Sequence, residues 1–438
     1  MFGPERSGRV LGMAETAQRD RPTFARLAVA CGVGSSLEFY DFLIYGTASA
    51  LVFGRLFFPQ SEPWTATLLA FSTFAVGFLM RPIGSIIFGH FGDRLGRRRM
   101  LVISLSLMGV STALMGLLPT YAAIGIAAPL LLLSLRIVHG LSVGGETAGA
   151  TLLAVEHAPA GKRGLYGSLV TIGSPLGAFL ANGAFALVLL LPEADLYDWG
   201  WRIPFLAGIA VVLVGLFARR NVAETPEFER IAKTARTGRA PLIAVLREHK
   251  RLVLLTAGVN LGFNAFMFIV VTFLLAYGSQ AVGIPRSVLL YGSMAGSIAQ
   301  VAGIVYFCRL TDRIGRKPVL MAGAIFCTVW GFPLFALVDS GSPALAVLGI
   351  VLAFGGSAAI FGPMLAYFSE LFGPELRYTG VGFGYQIGAV LGGGLSPLIA
   401  GSLVTAAGGS SWLVATYMSA AGLISLLCLL GLPETVRK

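Results

Sequence analysis

Two carboxylates and two guanidinium groups lie within stretches of the sequence that are otherwise apolar. Glu38 and Asp41 are three residues apart in the first of these stretches, and Arg81 and Arg136 lie in the second and the fourth. An unpaired charge in an apolar environment is costly. These groups therefore either hold helices together as ion pairs or bind protons and charged ligands.

The two carboxylates have a structural and a chemical interpretation. Residues three apart on a helix share a face, so Glu38 and Asp41 lie side by side. Either could pair with a nearby arginine and serve only to hold helices together. Alternatively, one is protonated for part of a working cycle, because burial and a neighbouring carboxylate both favour the protonated form. We predict a proton-coupling role, with Asp41 as the carrier and Glu38 as the residue that tunes it.

Both arginines stay charged, so each must face a cavity, a carboxylate or an anionic ligand. A planar guanidinium binds a carboxylate through two parallel hydrogen bonds. In the empty protein Arg136 could pair with either carboxylate of the first stretch, and Arg81 could clasp Asp93 or Glu146. We predict that Arg136 and Arg81 bind an anionic substrate.

Neutral polar residues in the apolar stretches could complete a binding cavity, or they could be hydrogen-bonding contacts between helices. Six of them stand out: Tyr40, Tyr45, Asn260, Asn264, Gln300 and Gln386. Among these we predict substrate contacts for Tyr45, Asn260, Asn264 and Gln386.

Metal and catalytic chemistry find little support in the sequence. The four cysteines lie singly, and the four histidines, of which only His139 is in an apolar stretch, lack metal-ligand spacing. No nucleophile, base and orienting residue occur at plausible spacing. We predict no metal site, no cofactor and no enzymatic activity.

The elements that carry these groups are predicted to be membrane-spanning helices. Of 438 residues 56% are hydrophobic and only 12% are charged, and the mean hydropathy is +0.80, which excludes an ordinary soluble protein. Runs long enough to span as helices are too long for barrel strands, which makes the fold all-α. The twelve runs are 27–52, 66–88, 100–118, 123–146, 164–190, 203–218, 252–277, 287–307, 318–338, 344–368, 378–405 and 412–432.

The basic residues predict the orientation of these spans. With both termini in the cytoplasm, 27 of the 32 lysines and arginines fall on the cytoplasmic side, as the positive-inside rule requires. The net charge of +11 is thus a topology signal, and no nucleic-acid partner is needed to explain it. The first apolar run is too long for a signal peptide.

An internal repeat divides the chain into two halves. The loop between spans 2 and 3 contains GDRLGRRR, and the loop between spans 8 and 9 contains TDRIGRK, 219 residues later. Two parallel six-helix halves with a substrate site between them are one of the transporter architectures. We predict an N-terminal arm (1–26), a first bundle (27–218), a central loop (219–251) with a short surface helix between Thr225 and Gly238, a second bundle (252–432) and a tail (433–438).

These motifs together resemble the major facilitator superfamily, over the whole length of the chain. The repeated Asp-Arg-x-Gly-Arg motif and LRIVHGLSVGGE (135–146) carry that likeness. Five further motifs are similar to its metabolite:proton symporter family: Glu38-Phe-Tyr-Asp41-Phe, Arg81-Pro82-x-Gly84, Gly144-Gly145-Glu146, Trp201-Arg202-Ile-Pro204-Phe205 and Glu224-Thr225-Pro226-x-Phe228.

The resemblance implies proton-coupled import of a small carboxylate such as 2-oxoglutarate, citrate or shikimate, by a monomer in the cytoplasmic membrane. It also implies that the repeated loops latch the two halves together, although the same basic residues would be there for topology alone. The predicted gating residues are Gly89, Asp93, Arg97, Arg98, Glu146, Asp312 and Arg316.

Three other functions remain open at this point. One is export of drugs by proton exchange, which GSPLG (173–177) weakens because it departs from the antiporter signature. Another is symport of a zwitterion such as proline or betaine, which the short stretch after the last span disfavours. The third is a sensor that binds solute and signals through the central loop.

Overall fold

The computed structural model describes residues 32, 34–95, 97–144, 163–220, 247–373 and 377–436. The predicted N-terminal arm, the predicted surface helix of the central loop and Glu146 lie outside these residues. For Gly89, Asp93, Arg97 and Arg98 the structure describes the backbone only.

The regular secondary structure of the described residues consists of helices, which confirms the all-α prediction. The first half contains α1 (Gly34–Ala48, continued by a π-helical turn, Ser49–Phe53, and by Gly54–Phe57), α2 (Pro63–Leu95), α3 (Arg97–Leu117), α4 (Ala127–Val143), α5 (Arg163–Thr171, continued by Gly173–Val188) and α6 (Ile203–Arg220).

The second half repeats this pattern. It contains α7 (Lys250–Phe268, continued by a π-helical turn, Ile269–Phe273, and by Leu274–Gln280), α8 (Arg286–Ile314), α9 (Arg316–Asp339), α10 (Pro343–Leu371), α11 (Arg377–Gly388, continued by a π-helical turn, Ala389–Gly394, and by Ser396–Ala406) and α12 (Trp412–Leu430). Eight stretches of the twelve helices are long and apolar enough to cross a membrane by themselves, while Val102–Leu117 and Ala127–Val143 are apolar but shorter.

The repeat seen in the sequence extends to an irregularity of the backbone. The π-helical turns of α1 and α7 begin at residues 49 and 269, which is nearly the spacing of the repeated loop motif. A π-helical turn widens a helix locally and is often found at functional sites. The first helices of the two halves therefore bend at equivalent places, where they approach one another across the interface.

The connections between α2 and α3 and between α8 and α9 are shorter than predicted. Gly92 belongs to the loop predicted between spans 2 and 3, and Gly89 is a predicted gating residue, but both lie inside α2. In the second half α8 runs up to Gly315 and α9 begins at the next residue. Gly315 has a φ of +105°, which costs glycine little. The hydrogen bonds of a helix lie within the segment itself, so a spanning helix can continue beyond its apolar run. The connection between α8 and α9 then consists of a single glycine.

The two halves touch at both ends of the bundle. We call the end where α8 meets α9 the basic end, and there the Asp312 carboxylate accepts hydrogen bonds from the backbone amides of Gly164 and Leu165 of α5, at 3.0 and 3.2 Å. At the opposite end, the indole of Trp64 in α2 donates to Thr405 of α11 at 3.0 Å. The interface is thus closed above and below its centre.

Glycine contacts bring α2 and α4 unusually close. A Cβ added to Gly84 would lie 1.9 Å from the Leu141 carbonyl oxygen, and one added to Gly140 would lie 2.2 Å from the Gly77 carbonyl oxygen. Small residues allow helices in a membrane to pack backbone against backbone. This packing fixes the position of α4, which carries Arg136.

We expect Gly84→Ala to destabilise the protein by about 1–3 kcal/mol, the usual cost of forcing extra atoms into a packed core. The matched control is Gly355→Ala in α10, where the nearest atom to the new methyl group would be Ala299 Cβ at 3.8 Å. Melting temperatures in detergent provide the measurement. Equal melting temperatures for Gly84→Ala and Gly355→Ala would contradict the close approach of α2 and α4.

Candidate functional site

A buried chain of three polar side chains crosses from α1 to α4. The Asp41 carboxylate (Oδ2) lies 2.5 Å from His139 Nε2, and His139 Nδ1 lies 3.2 Å from Arg136 Nη1. All three residues are at most 1% exposed. The sequence leaves open a direct Arg136–Asp41 pair. The structure corrects this alternative, because the imidazole of His139 lies between the two charged groups.

The partners of His139 determine which of its nitrogens carries hydrogen. A guanidinium can only donate, so Nδ1 must accept from Arg136 and holds no hydrogen. The hydrogen is then on Nε2, which donates it to the Asp41 carboxylate. In this arrangement the imidazole is neutral, and adding a proton to Nδ1 would set two donors against each other.

Aromatic rings surround the Arg136 guanidinium. Its Cζ lies 4.2 Å from the ring centre of Tyr45, 4.6 Å from that of Phe42 and 5.3 Å from that of Phe74. The faces of such rings attract a cation that has been removed from water. Nε and Nη2 of Arg136 are buried without a hydrogen-bond partner, so the group retains capacity to bind an anion.

Arg81 lies beside the same cluster. Its Cζ is 4.1 Å from the ring centre of Phe42 and 4.4 Å from that of Phe78, and its Nε is buried without a hydrogen-bond partner. Arg81 is also within electrostatic reach of Glu38 and of Tyr385 in α11. The charged groups of the first half therefore approach the second half at this point.

A cavity lies between the two halves, next to this cluster. Its wall is aromatic and aliphatic with a few polar groups, and it consists of Phe39, Leu43, Ser174, Pro175 and Ala178 from the first half and Phe263, Asn264, Met267, Phe268, Val271, Gln300, Phe354, Phe361 and Tyr385 from the second. The Phe268 ring packs on Phe42 with centroids 6.1 Å apart. Phe42 and Phe268 thus connect Arg136 to the cavity.

The structure brings only some of the predicted substrate contacts to this cavity. Asn264 lines it, while Asn260 holds the Asn264 side chain from behind at 2.7 Å. Tyr45 instead bonds to Thr73 at 2.6 Å and lies under Arg136. Gln386 is buried with its Oε1 unpartnered and lies outside the cavity wall.

The predicted gate residues of the second half form a network at the basic end. Arg316 bonds to Asp312 at 2.6 Å and to Glu370 of α10 at 3.2 Å. Glu434, beyond α12, accepts the backbone amides of Arg316 and Lys317 at 3.0 and 2.9 Å. This network connects the segment after α12, through Arg316 and Asp312, to α5 of the first half.

Sequence reasoning missed two residues of these clusters. His139 was treated only as a potential metal ligand, although it lies three residues after Arg136 and therefore on the same helical face. Glu434 had no signal in the sequence, because its partners are backbone amides 117 and 118 residues away. Among the described residues no cluster of three His, Cys, Asp or Glu could hold a metal ion.

Comparison with known families gives matches over both halves. Residues 27–250 match the family model described as "Sugar (and other) transporter", and residues 263–438 match that of the "Major Facilitator Superfamily".

Several relatives are similar over most of their length. The chain is 41% identical to the shikimate transporter of Escherichia coli K12, covering 94% of this chain and 95% of that protein. It is equally identical to the inner membrane metabolite transport protein YhjE of the same organism, covering 94% of each. Identity to the E. coli proline/betaine transporter is 30%, covering 93% of this chain and 83% of that protein.

Solved structures share the fold. The partially occluded inward-open structure of the xylose transporter XylE from E. coli matches with a TM-score of 0.71 at 20% identity, covering 95% of this chain and 99% of that one. This likeness confirms the predicted fold of twelve transmembrane helices in two six-helix halves.

The hydrogen bonds of the Glu434 carboxylate predict that the stability of the protein depends on pH. Burial raises the pKa of Glu434, but four backbone amides that donate to its carboxylate outweigh this and bring the pKa below the ordinary 4.5. The stabilisation is fully present above pH 4.5 and is lost as the pH falls through the lower pKa of the bound carboxyl. We expect Glu434→Gln to lower the melting temperature at pH 7, with a difference from wild type that shrinks below pH 4.5.

The control is Glu62→Gln at an exposed position of the opposite end, which should leave the melting temperature unchanged. A Glu434→Gln difference that stayed constant from pH 7 to pH 3.5 would show that the carboxylate charge plays no part.

Proposed function

The chain belongs to the major facilitator superfamily of membrane transporters, in its metabolite:proton symporter family, and from this membership we propose that it imports a small organic carboxylate together with protons. The observation that carries the proposal is the buried chain Asp41–His139–Arg136 beside the cavity between the halves. It combines a carboxylate and an imidazole that can take up a proton with a cation that can bind an anion.

Proton uptake at this chain would release Arg136. A proton on Asp41 removes the negative charge that attracts the guanidinium through His139. A proton on His139 Nδ1 replaces the acceptor that now faces Arg136 Nη1 with a donor. In the first case the electrostatic attraction on Arg136 weakens, and in the second Arg136 loses its hydrogen-bond acceptor. An incoming carboxylate can then bind Arg136 with the bidentate geometry that guanidinium favours.

The groups around Asp41 would tune this step. Tyr40 neighbours it on α1, and its hydroxyl is occupied by a hydrogen bond to the Pro204 carbonyl. Glu38 interacts electrostatically with Arg81, and Arg81 interacts electrostatically with His139. We therefore keep Asp41 as the proposed proton carrier, add His139 as its partner, and assign Glu38 an indirect role through Arg81.

The substrate class is supported by the relatives. The 41% identity to a shikimate transporter favours an organic carboxylate. The proline/betaine transporter, at 30% identity, supports a zwitterion as the second candidate, which also carries a carboxylate for Arg136. Uptake measured with both kinds of solute separates the two candidates.

Import requires that the cavity open to one side at a time. Asp312 holds the amino end of α5 across the basic end, so opening there would break these contacts while those of Trp64 hold the opposite end. We propose that the basic end faces the cytoplasm, as the positive-inside rule predicts, with the gating residues Asp93, Arg97, Arg98 and Glu146 completing the latch in the first half.

Coupling is tested by two substitutions in proteoliposomes with an inward proton gradient. Wild-type protein should accumulate shikimate, and a protonophore should abolish the accumulation. Asp41→Asn and His139→Gln should lose concentrative uptake but keep counterflow exchange, in which no net proton transfer is needed. Glutamine can still accept from Arg136 and donate to Asp41, so His139→Gln should retain the wild-type melting temperature.

A purely structural role predicts another pattern. Leaving a buried donor or acceptor of this network unpaired destabilises a protein by about 1–3 kcal/mol, so stability, exchange and accumulation would decline together. Wild-type accumulation ratios in both variants would overturn the assignment of the proton site.

Arg136→Lys tests anion binding. Lysine keeps the charge but loses the planar fork, so we expect shikimate to bind more weakly by about 1–3 kcal/mol, the range for hydrogen bonds to charged groups. Arg55→Lys, at the exposed ion pair with Glu193, should retain wild-type affinity. Isothermal titration calorimetry gives the affinities, and an unchanged value in Arg136→Lys would place the carboxylate elsewhere.

A further inference from the structure

The Asn264 side chain presents only its carbonyl oxygen to the cavity. Its amino group donates to the Asn260 backbone oxygen at 2.9 Å and to the Asn260 side-chain oxygen at 2.7 Å. An amide nitrogen has two hydrogens, so both are used. Since Asn264 is part of the cavity wall, its remaining polar atom, Oδ1, can act there only as an acceptor.

The orientation of Asn264 is fixed by the residue behind it. Asn260 is fully buried and donates through its own amino group to the Tyr385 carbonyl oxygen of α11 at 2.6 Å. A carbonyl oxygen cannot donate, so Asn260 must turn its side-chain oxygen toward Asn264. The backbone of α11 therefore determines, through two amides, that Asn264 is an acceptor in the cavity.

The side-chain amide of Gln300 in α8 is also oriented by its hydrogen bonds. Its amino group lies 3.2 Å from the Ser357 hydroxyl and 3.7 Å from Met267 Sδ. The single hydroxyl hydrogen of Ser357 is directed to the Phe354 carbonyl oxygen at 2.9 Å or to Met267 Sδ at 3.3 Å, and in either case Ser357 accepts from Gln300. Gln300 also lines the cavity, and its free polar atom is again a carbonyl oxygen.

An apolar wall stands beside these two acceptors. The rings of Phe263 and Phe361 are stacked with centroids 4.5 Å apart and planes 9° apart, and both line the cavity. Such a wall suits the face of a flat or cyclic ligand. The second half of the protein therefore offers ring surface and acceptors to the cavity, while Arg81 and Arg136 belong to the first half.

We propose that Asn264 and Gln300 determine specificity by accepting hydrogen bonds from hydroxyl groups of a cyclic hydroxy acid, whose carboxylate binds on the side of Arg136. This rests on the proposed function. A second carboxylate has no hydrogen to donate, so a dicarboxylate would leave both acceptors unpaired, and buried unpaired polar groups are the strongest means of rejecting a ligand.

An ammonium group could also donate to these oxygens, but the wall favours hydroxyls. A cation removed from water requires a negative partner. None of the residues described as lining the cavity is acidic or basic. The carboxylate therefore depends on Arg136 behind Phe42 and Phe268. An ammonium beside Asn264 and Gln300 would lack a counter-charge. Neutral acceptors without a counter-charge suit a neutral donor better, which separates a hydroxy acid from a zwitterionic amino acid.

The test compares shikimate, which has three ring hydroxyls, with 1-cyclohexene-1-carboxylate, which has the same ring and carboxylate without them. Binding to the full-length protein in detergent is measured by calorimetry. Wild type should prefer shikimate by about tenfold or more, the value of one to two hydrogen bonds. Asn264→Leu and Gln300→Met should each reduce this preference about fivefold or more, with little change in affinity for the deoxy acid.

Gln280→Met is the matched control, since Gln280 contacts Thr67 at the opposite end and should keep the wild-type ratio. Gln300→Met is nearly isosteric and maintains the test if Asn264→Leu fails to fold. An unchanged ratio in a folded Asn264→Leu or Gln300→Met variant would overturn the proposal. So would proline binding that is tighter than shikimate binding and is lost in these variants.

The outcomes also separate this inference from the function on which it rests. If both acids bind equally and both are taken up with protons, the specificity proposal is wrong and proton-coupled import stands. If neither acid binds or is taken up, the proposed function itself is wrong.

Discussion

A guanidinium buried among aromatic rings and hydrogen-bonded to a neutral imidazole is the constraint on which the first half of this protein depends. Arg136 cannot lose its charge, and among the described contacts its guanidinium meets the His139 imidazole and the rings of Phe42 and Tyr45. Ring faces and the His139 lone pair compensate only part of the lost hydration. In the proposed transport cycle, Arg136 therefore exchanges His139 for the carboxylate of the substrate, which is a stronger hydrogen-bond acceptor.

The packing of α2 and α4 follows from the same constraint. The guanidinium passes over Gly77, where an added Cβ would lie 2.4 Å from Arg136 Nε. The backbone of α4 rests on α2 at Gly140, directly beyond. A side chain at Gly77 would displace the cation from its rings, so the close helix pair is as much a requirement of the charge cluster as of helix packing.

The sequence contains most of the fold and only part of the site. Hydropathy and the repeated motif predict twelve helices in two halves, because spanning length and internal hydrogen bonding leave few alternatives. Asp312 and Arg316 were identified by the repeat, and the structure brings them together with Glu370. By contrast, the cavity wall joins Ser174 of α5 to Phe354 of α10, and no periodicity within either helix indicates that they meet. The insertion of His139 between two charges depends on the rotation of α1 against α4, which pattern alone does not specify.

The separation of the proposed proton site from the cavity has a thermodynamic consequence. Asp41 and His139 are not among the residues that line the cavity. We infer that protonation acts on the substrate through Arg136, which the rings of Phe42 and Phe268 connect to the cavity wall. A coupling free energy between two ligands is reciprocal. If protonation frees Arg136 for a carboxylate, a bound carboxylate must equally favour protonation, because it withdraws the guanidinium from His139 and removes the donor that opposes a hydrogen on Nδ1. In the proposed cycle, the same side chain would make binding proton-dependent and would keep the proton in place while the substrate is bound, which is the condition for moving the two together.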